Sequence, residues 1–294
     1  MTELDRYALR RLVREAGQAL ARAGVASPDA DARQLAEHLL GGPVLLADGA
    51  PEGFAAAYEA LVERRAAREP LQHILGTMWF RGLELTCRPG VFIVRPETEV
   101  VAGAAIEAAR AVAAEEGRGP VVVDLCTGSG AIAAAVAVEV PTARVWAVET
   151  APAAVALARE NSEHLAPGKV AIIRGDASDP AVLAELDGRV DVVVSNPPYV
   201  PAGAVEDLET ERHDPDLALY GGGGDGLRLP RAVVERAGAL LRPGGVLVME
   251  HDPGQGVALR AAALGAGFTE AVTGQDLTGR DRYLRAVTEL ASRA

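Results

Sequence analysis

From residue 97 onward, short apolar strands alternate with helical segments, and this alternation constrains the fold more than any other feature. Four of the strands are VVVDL (121–125), ARVWAVE (143–149), KVAIIRGD (169–176) and VDVVVSN (190–196). GVLVME follows, ending at Glu250, and a final strand pair is predicted near 268–273 and 282–287. Continuous apolar strands separated by helices are typical of a mostly parallel sheet with helices on both faces. The sequence therefore predicts an α/β fold.

The first 70 residues have a different pattern, because their apolar residues recur at helical spacing. Helices are predicted over 3–24, from the Ser27-Pro28 start signal onward, and over 52–68, and no strand is expected there. A β-rich connector is predicted next, with strands at 71–76, 80–86 and 91–94. The expected organisation is a helical domain (1–70), a β-hairpin connector (71–96) and a catalytic domain (97–294).

Charge and cysteine content disfavour several classes of function. The formal net charge of the 294 residues is −12, whereas nucleic-acid binding depends mainly on Lys and Arg that neutralise phosphates. The Arg-rich stretch Glu63–Arg68 is interpreted as a solvated helix face. No apolar run reaches the roughly 20 residues of a membrane span, and no secretory signal is evident. Cys87 and Cys126 lie far apart without metal-ligand spacing, which predicts reduced thiols, no metal and a cytoplasmic protein.

A glycine-rich turn follows the strand VVVDL and predicts a cofactor site. Glycines at the carboxyl end of a strand in an open α/β sheet let backbone N–H groups approach a ligand. Asp124 at the strand end would repel a pyrophosphate but would attract the sulfonium and ammonium of S-adenosylmethionine. Glu149, at the end of the next strand, is placed to accept hydrogen bonds from ribose hydroxyls. The loop residues predicted to bind the cofactor are Cys126, Thr127, Gly128, Ser129 and Gly130.

The third strand adds Asp176, which is expected near the adenine, followed by Ala177. An NAD-dependent oxidoreductase is the competing interpretation of this loop. The dinucleotide pattern would place a third glycine near Ile132-Ala133, where the chain has none. S-adenosylmethionine is therefore the favoured cofactor.

The fourth strand ends in Ser195-Asn196-Pro197-Pro198-Tyr199, and this turn predicts the chemistry. An amide nitrogen is a poor nucleophile, so an enzyme that methylates it needs acceptors that hold its N–H bonds and stabilise the developing positive charge. The Asn196 side-chain oxygen and the Pro197 carbonyl can be those acceptors, since proline fixes φ and removes a donor. Tyr199 offers an aromatic face for a planar amide or base. The predicted catalytic residues are Asn196, Pro197 and Tyr199, and Pro198 joins them in substrate binding.

With these motifs the chain resembles the peptide chain release factor glutamine methyltransferases over nearly its whole length. The tetrapeptide NPPY is shared with adenine and cytosine amino-methyltransferases, so it is only class-specific. The more specific segments are Arg95–Glu99 (RPETE) and Asp276–Arg282 (DLTGRDR). The other matching segments are EPLQHILG (69–76), FRGL (80–83), DPDLAL (214–219), GDGL (224–227) and EHDPGQ (250–255).

The resemblance implies methylation of the glutamine in the Gly-Gly-Gln loop of class I release factors, which modulates translation termination. It implies a Rossmann-like class I methyltransferase domain with a seven-stranded, mostly parallel sheet, and a helical N-terminal domain that helps to bind the release factor. Asn196 would lie near both cofactor and substrate. Three positions depart from the family pattern: Cys126 stands where glycine is frequent, Glu149 replaces Asp, and Ala177 replaces an aromatic residue of some members.

Three other functions compete with this one. An adenine amino-methyltransferase acting on DNA or RNA would hold its target nitrogen with the same NPPY turn. It would also need phosphate contacts, which an acidic chain does not favour. An NAD-dependent oxidoreductase is opposed by Asp124 and by the missing glycine. A non-catalytic binding module is opposed by the intact residues Asn196 to Tyr199.

Overall fold

The computed structural model describes residues 2–204 and 207–290, which divide into two compact units. One unit contains residues 2–78 together with 207–213, and the other contains 79–204 and 214–290. The segment 207–213 thus belongs to the first unit although it follows the NPPY turn in the sequence. Among the described residues, no helix is both long and apolar enough to cross a membrane.

A seven-stranded sheet organises the second unit and confirms the predicted fold class. Its spatial order is β10-β11-β9-β8-β5-β6-β7, with the central strands parallel and β10 and β11 antiparallel. The central strands β5 and β8 are fully buried, which explains their Val-rich, non-alternating sequences. The strands are β5 (Val121–Leu125), β6 (Arg144–Glu149), β7 (Val170–Arg174), β8 (Val190–Ser195), β9 (Leu241–Glu250), β10 (Phe268–Gln275) and β11 (Asp281–Thr288).

Helices cover this sheet, and the segments between the parallel strands supply most of them. Helix α6 consists almost entirely of buried Ala, Ile and Val because it packs close to the sheet. The helices of this unit are α5 (Thr98–Glu116), α6 (Ala131–Glu139), α7 (Pro152–Leu165), α9 (Asp216–Leu219), α10 (Arg228–Leu240) and α11 (Gly256–Gly265).

The first unit is mainly helical, as predicted, but it also contains two short strands that the sequence did not indicate. β1 (Thr2–Asp5) pairs antiparallel with β2 (Gly49–Pro51), so the expectation of a strand-free bundle was wrong. Both strands are too short to show an apolar alternation. The helices of the unit are α1 (Arg6–Arg22), α2 (Pro28–Leu40), α3 (Phe54–Ala66), α4 (Leu71–Leu75) and α8 (Leu208–His213).

The connector is a hairpin of β3 (Thr77–Phe80) and β4 (Leu83–Thr86), but the two flanking strands are absent from the described structure. Leu71–Leu75 forms a helical turn, which begins after Pro70 and ends at Gly76 in a left-handed conformation. Residues 91–94 form no strand, and the Ile93 N–H points to the Asp214 carboxylate at 3.4 Å. The Ile93 N–H therefore donates to the Asp214 side chain and not to the backbone of a neighbouring strand.

The Arg-rich stretch at the end of α3 is only partly the solvated face that the sequence suggested, because Glu63 and Arg64 are exposed whereas Arg65 is buried. Arg65 is 5% exposed and forms ion pairs with Asp31 at 2.7 Å and with Glu209 at 2.9 Å. Arg68 binds the same Glu209 carboxylate at 2.8 Å. These pairs attach α8 to the helical unit, which explains why a segment from the middle of the chain belongs there.

We predict that Asp31→Ala destabilises the helical unit. Breaking a buried ion pair by removing one partner costs about 3–5 kcal/mol, and we expect the low end because Glu209 still neutralises Arg65. Asp48→Ala is the matched control, since it breaks an exposed pair with Arg6 (side chains 90% and 49% exposed) and should cost less than about 1 kcal/mol. Urea unfolding followed by circular dichroism measures both, and equal losses would contradict the prediction.

Candidate active site

The candidate site lies at the topological switch point of the sheet, where the strand order changes direction. The order runs from β5 to β6 and β7 on one side and from β8 to β9 on the other, so β5 and β8 flank the position where open α/β sheets bind ligands. Leu125 and Ser195, the last residues of these strands, are register partners. The buried Ser195 hydroxyl donates to the Leu125 carbonyl at 2.6 Å. The glycine-rich loop and the NPPY turn therefore leave the sheet side by side.

The glycine-rich loop turns sharply through left-handed backbone conformations. Gly128 and Gly130 have φ of 56° and 83°, and a Cβ on Gly130 would lie 3.2 Å from the Ala158 backbone. Cys126 also has a positive φ, 64°, which is strained for a side chain with a Cβ. Burial raises the pKa of its thiol, so the Cys126 sulfur stays protonated at neutral pH.

Asp124 is fully buried beside this loop and is incompletely satisfied. Its Oδ2 accepts from the Thr127 hydroxyl at 2.6 Å, but Oδ1 has no hydrogen-bond partner among residues 2–204 and 207–290. Burial raises the pKa of this carboxyl to about 7, opposed by the Thr127 hydroxyl and the nearby Ala133 N–H and assisted by Glu149. A cation next to Asp124 would compensate the buried charge.

Glu149 holds the glycine-rich loop against the start of α7. One carboxylate oxygen accepts from the Gly128 N–H at 2.9 Å, and the other accepts from the N–H groups of Thr150 and Ala151, both at 2.9 Å. A carboxylate has about four acceptor positions. These three bonds therefore leave capacity for one further ordinary hydrogen bond.

Asp176 and Ala177 follow β7, and their side chains have different surroundings. Asp176 is exposed, and one of its oxygens accepts from the Ser178 hydroxyl at 2.7 Å. Together with Asp124 and Glu149 it raises the pKa of the Cys126 thiol, so all three carboxylates act on the glycine-rich loop. The Ala177 side chain is buried in the hydrophobic core.

Asn161 of α7 anchors the glycine-rich loop, and sequence reasoning missed it. Its side-chain NH₂ donates to the Ser129 carbonyl at 3.0 Å and to the Thr86 carbonyl at 3.2 Å, and its oxygen accepts from the Thr86 N–H at 2.9 Å. Asn161 is 1% exposed, so these bonds satisfy a buried amide. No sequence signal distinguishes it from other polar helix residues.

The NPPY turn leaves two acceptors unused. The Asn196 NH₂ donates to the hydroxyl of Thr98 at 3.2 Å. In the described part of the chain, neither the Asn196 side-chain oxygen nor the Pro197 carbonyl accepts a hydrogen bond. Pro197 and Pro198 are buried, whereas Asn196 and Tyr199 are half-buried. The structure therefore brings the four predicted substrate residues into one rigid turn.

Two loops from later in the chain contact the backbone of the NPPY turn at Tyr199. The Gln255 NH₂ donates to the Tyr199 carbonyl at 2.8 Å and to the Asp225 carbonyl at 3.0 Å. Gly226, with φ of 71°, approaches so closely that a Cβ would lie 2.2 Å from the Tyr199 carbonyl oxygen. Only glycine fits at this position without displacing the turn.

Glu250, at the carboxyl end of β9, is a second buried carboxyl in the site. The Tyr199 hydroxyl donates to its Oε1 at 3.2 Å, and its Oε2 has no hydrogen-bond partner among the described residues. Burial raises the pKa of Glu250 to about 7, although Thr98 and Arg282 lower it. Arg282 itself binds Asp276 at 3.1 Å. Sequence reasoning assigned no role to Glu250, yet it carries the signal used for Asp124 and Glu149: a carboxylate at the end of a buried strand.

His251, next in the chain, is fully buried, and burial lowers the pKa of its imidazole. Its Nδ1 lies 2.7 Å from the Asp252 carbonyl and therefore carries the proton. His251 is thus neutral and part of the packing below the site. Within residues 2–204 and 207–290, no group of three or more His, Cys, Asp or Glu side chains is arranged to hold a metal ion.

Comparison with known proteins first gives the class. Residues 83–212 match the family described as the methyltransferase small domain. A methyltransferase from Pyrococcus furiosus has a similar fold, with a TM-score of 0.50 and 18% identity, covering 71% of this chain and 91% of that one. Fold and site together define a methyltransferase.

The relatives then give the family. Residues 11–76 match the PrmC N-terminal domain. Release factor glutamine methyltransferases are 45% identical in Bifidobacterium longum (94% of this chain, 98% of the relative) and 47% identical in Streptomyces coelicolor (93% and 96%). The chain belongs to the release factor glutamine methyltransferase family.

We predict that Gly226→Ala lowers methyltransferase activity at least tenfold, because the added methyl group collides with the Tyr199 carbonyl and φ is positive. Gly224→Ala is the matched control in the same loop, since a Cβ there meets nothing within 4 Å. Turnover of both variants measures the effect. Equal activities would show that the close approach of Gly226 does not position the turn.

Proposed function

We propose that this chain transfers the methyl group of S-adenosylmethionine to the side-chain amide nitrogen of the glutamine in the Gly-Gly-Gln loop of class I release factors. The observation that carries the proposal is the pair of unused acceptors, Asn196 Oδ1 and Pro197 O, on one rigid turn beside the glycine-rich loop. A primary amide has two N–H bonds, which match two acceptors. A role in translation would place the enzyme in the cytoplasm.

The glycine-rich loop and its carboxylates fit S-adenosylmethionine, which supplies a methyl group on a cationic sulfur. The unpartnered Asp124 Oδ1 suits a positively charged group. Glu149 has one acceptor position left for a ribose hydroxyl, so two hydroxyls would have to share it or replace a backbone amide. We assign cofactor binding to Asp124, the loop Cys126–Gly130, Glu149 and Asp176, with Asn196 at the junction with the substrate. Ala177 contributes through its place in the core below.

The NPPY turn would activate the amide by holding it. Hydrogen bonds from the two N–H groups to Asn196 and Pro197 orient the nitrogen and stabilise the positive charge that develops as its lone pair leaves conjugation. Tyr199 packs against the planar amide, and Pro198 keeps the turn rigid. The N–CH₃ bond forms as the S–CH₃ bond breaks. The methylated nitrogen then loses a proton to water, since an N-protonated amide is a strong acid, so no dedicated base is needed.

An adenine amino-methyltransferase remains chemically conceivable because an exocyclic amine could occupy the same turn. The net charge of −12 disfavours phosphate binding, and the relatives cited above are named for glutamine methylation. No observation in the described structure favours the nucleic-acid substrate.

Mass spectrometry of a purified class I release factor, after incubation with the protein and S-adenosylmethionine, tests the proposed function. We expect a mass increase of one methyl group on the Gly-Gly-Gln peptide. A release factor with Asn in place of that glutamine is the control and should stay unmodified. Modification of an oligonucleotide but not of the release factor would favour the alternative substrate.

We predict that cofactor affinity depends on pH through Asp124. In the protein without ligand, the pKa of the Asp124 carboxyl is about 7, and a cationic ligand favours the ionised form of this carboxyl. Below pH 7 the proton must leave before the cation binds, so affinity should fall up to about tenfold per pH unit and level off above pH 7. Calorimetry between pH 6 and 8 measures this.

The Asp124→Asn variant should bind S-adenosylmethionine more weakly at pH 8 than the wild type does. Its affinity should not fall further as the pH is lowered from 8 to 6. Glu250→Gln is the matched control, because it removes the other carboxyl with a pKa of about 7 and should keep the decline. The same pH dependence in wild type and Asp124→Asn would assign the titration to another group.

We further propose that the helical unit binds the release factor through the start of α1 and the neighbouring residues 45–48. Tyr7, Leu45 and Leu46 are 74%, 71% and 80% exposed. Arg10 donates to the Leu45 carbonyl at 2.9 Å, which brings these apolar residues together. Apolar and aromatic side chains rimmed by Arg are typical of protein interfaces.

We predict that the triple variant Tyr7→Ser, Leu45→Ser, Leu46→Ser raises KM for the intact release factor about tenfold or more, the equivalent of losing one interface hot spot. Turnover at saturation should not change, and neither should methylation of a short Gly-Gly-Gln peptide. Leu264→Ser, at an exposed apolar position on α11 (53% exposed), is the control. An unchanged KM would show that this surface does not bind the release factor.

A further inference from the structure

The end of the NPPY turn is held by a side chain from elsewhere in the sequence. Pro197 and Pro198 have no N–H group, and the Tyr199 N–H makes no hydrogen bond within residues 2–204 and 207–290. In the same residues, the backbone of Tyr199 makes one hydrogen bond, which its carbonyl accepts from the Gln255 side chain at 2.8 Å. The position of this backbone therefore depends on Gln255.

The Gln255 amide has one defined orientation. Its NH₂ donates to the carbonyls of Tyr199 and Asp225, at 2.8 Å and 3.0 Å, and its oxygen accepts from the Asp252 N–H at 3.1 Å. A flipped amide would set its oxygen against two carbonyls and its NH₂ against an N–H donor. Gln255 is 7% exposed, so its partners are protein groups, and they determine the orientation.

A compact turn after β9 holds Gln255 itself. Its backbone N–H donates to the Asp252 carbonyl at 2.9 Å, and its side-chain oxygen accepts from the Asp252 N–H, so the two residues bind each other twice. The Asp252 carboxylate accepts from the Gly254 N–H at 2.8 Å and closes the turn. The donor that Gln255 offers to the NPPY turn is therefore fixed before any substrate binds.

The same segment, EHDPGQ (250–255), also holds the side chain of Tyr199. The Tyr199 hydroxyl donates to Glu250 Oε1 at 3.2 Å, while its carbonyl accepts from Gln255. One segment of six residues thus binds both the backbone and the far end of the ring. The ring cannot tilt without lengthening one of these two bonds.

The second carbonyl bound by Gln255 belongs to the loop that packs against the turn. Asp225 precedes Gly226, whose missing side chain allows the close approach to the Tyr199 carbonyl. The single NH₂ of Gln255 joins the carbonyls of Asp225 and Tyr199. Without that NH₂, two buried oxygens with partial negative charge would lie together unpaired, which favours their separation.

We propose that Gln255 is a positioning residue for methyl transfer, which fixes the Tyr199 backbone so that the Pro197 carbonyl and the Tyr199 ring face the substrate amide. The proposal rests on the function proposed above. Gln255 acts through Tyr199 and not on the reacting atoms. Its importance follows from the sensitivity of group transfer to geometry, since a displacement of about 1 Å can cost about 100-fold in rate.

Gln255→Met tests the two donors, because methionine has a similar length and no N–H group. We expect turnover of the release factor at saturation to fall about 10- to 100-fold, while the Kd of S-adenosylmethionine stays constant. Calorimetry with S-adenosylmethionine gives this Kd and the fraction of molecules that bind, so misfolded protein is recognised. Thr288→Val is the matched control and should keep wild-type turnover, since it removes a donor to the Arg242 carbonyl at the opposite end of β9.

Gln255→Glu separates the donors from the shape of the side chain. Glutamate keeps the shape and an acceptor for the Asp252 N–H, but an ionised carboxylate cannot donate to the carbonyls of Tyr199 and Asp225. At pH 8 its turnover should be at least as low as that of Gln255→Met. A protonated carboxyl can donate one hydrogen bond, so turnover relative to the wild type should be higher at pH 6 than at pH 8.

The outcomes distinguish this role from the proposed function. Methylation of the release factor by the wild type is measured first, and its failure would contradict the proposed function. If the wild type is active, equal turnover of wild type and Gln255→Met would overturn the positioning role alone. Wild-type turnover of Gln255→Glu at pH 8 would also overturn it, because shape without donors would then be sufficient.

Discussion

The pairing of β5 with β8 is the constraint on which the site depends. These two buried strands place the glycine-rich loop and the NPPY turn at one edge of the sheet, and the Ser195 hydroxyl bonds to the Leu125 carbonyl where they diverge. The reacting atoms of a methyl donor and its acceptor must approach to about 3–3.5 Å for group transfer. Two loops that leave adjacent strands side by side allow such an approach without any motion of the sheet.

The NPPY turn is rigid because distant segments converge on it. Thr98 lies 98 residues before Asn196, whereas Glu250 and Gln255 lie 51 and 56 residues after Tyr199. Each supplies one hydrogen bond to the turn, and Gly226 supplies a close backbone contact. Three of the segments that carry the family resemblance therefore contact this turn: RPETE through Thr98, GDGL through Gly226, and EHDPGQ through Glu250 and Gln255.

The strands and helices of the second unit could be predicted from the sequence because their signals are local, and the same local signals locate the proposed site residues. Apolar runs mark β5 and β8, and the glycines and the Pro-Pro turn follow them directly. The Asp31–Arg65–Glu209 network could not be predicted, since ion-pair partners far apart in sequence leave no periodic trace. Asn161 was missed for the same reason, because its importance lies in the carbonyl it contacts and not in its neighbours along α7.

Asp124 and Glu250 show how one sheet edge can use the same side-chain chemistry in two ways. Burial raises the pKa of both carboxyls to about 7, and each has one oxygen without a partner among the described residues. The charged group that acts on Asp124 is Glu149, which raises its pKa further, so under the proposed function a positive ligand would compensate the Asp124 charge. Glu250 has Arg282, which lowers its pKa and is itself fixed by Asp276. Under the proposed function, Asp124 would therefore respond to a cationic ligand more strongly than Glu250, which has Arg282 beside it within the protein.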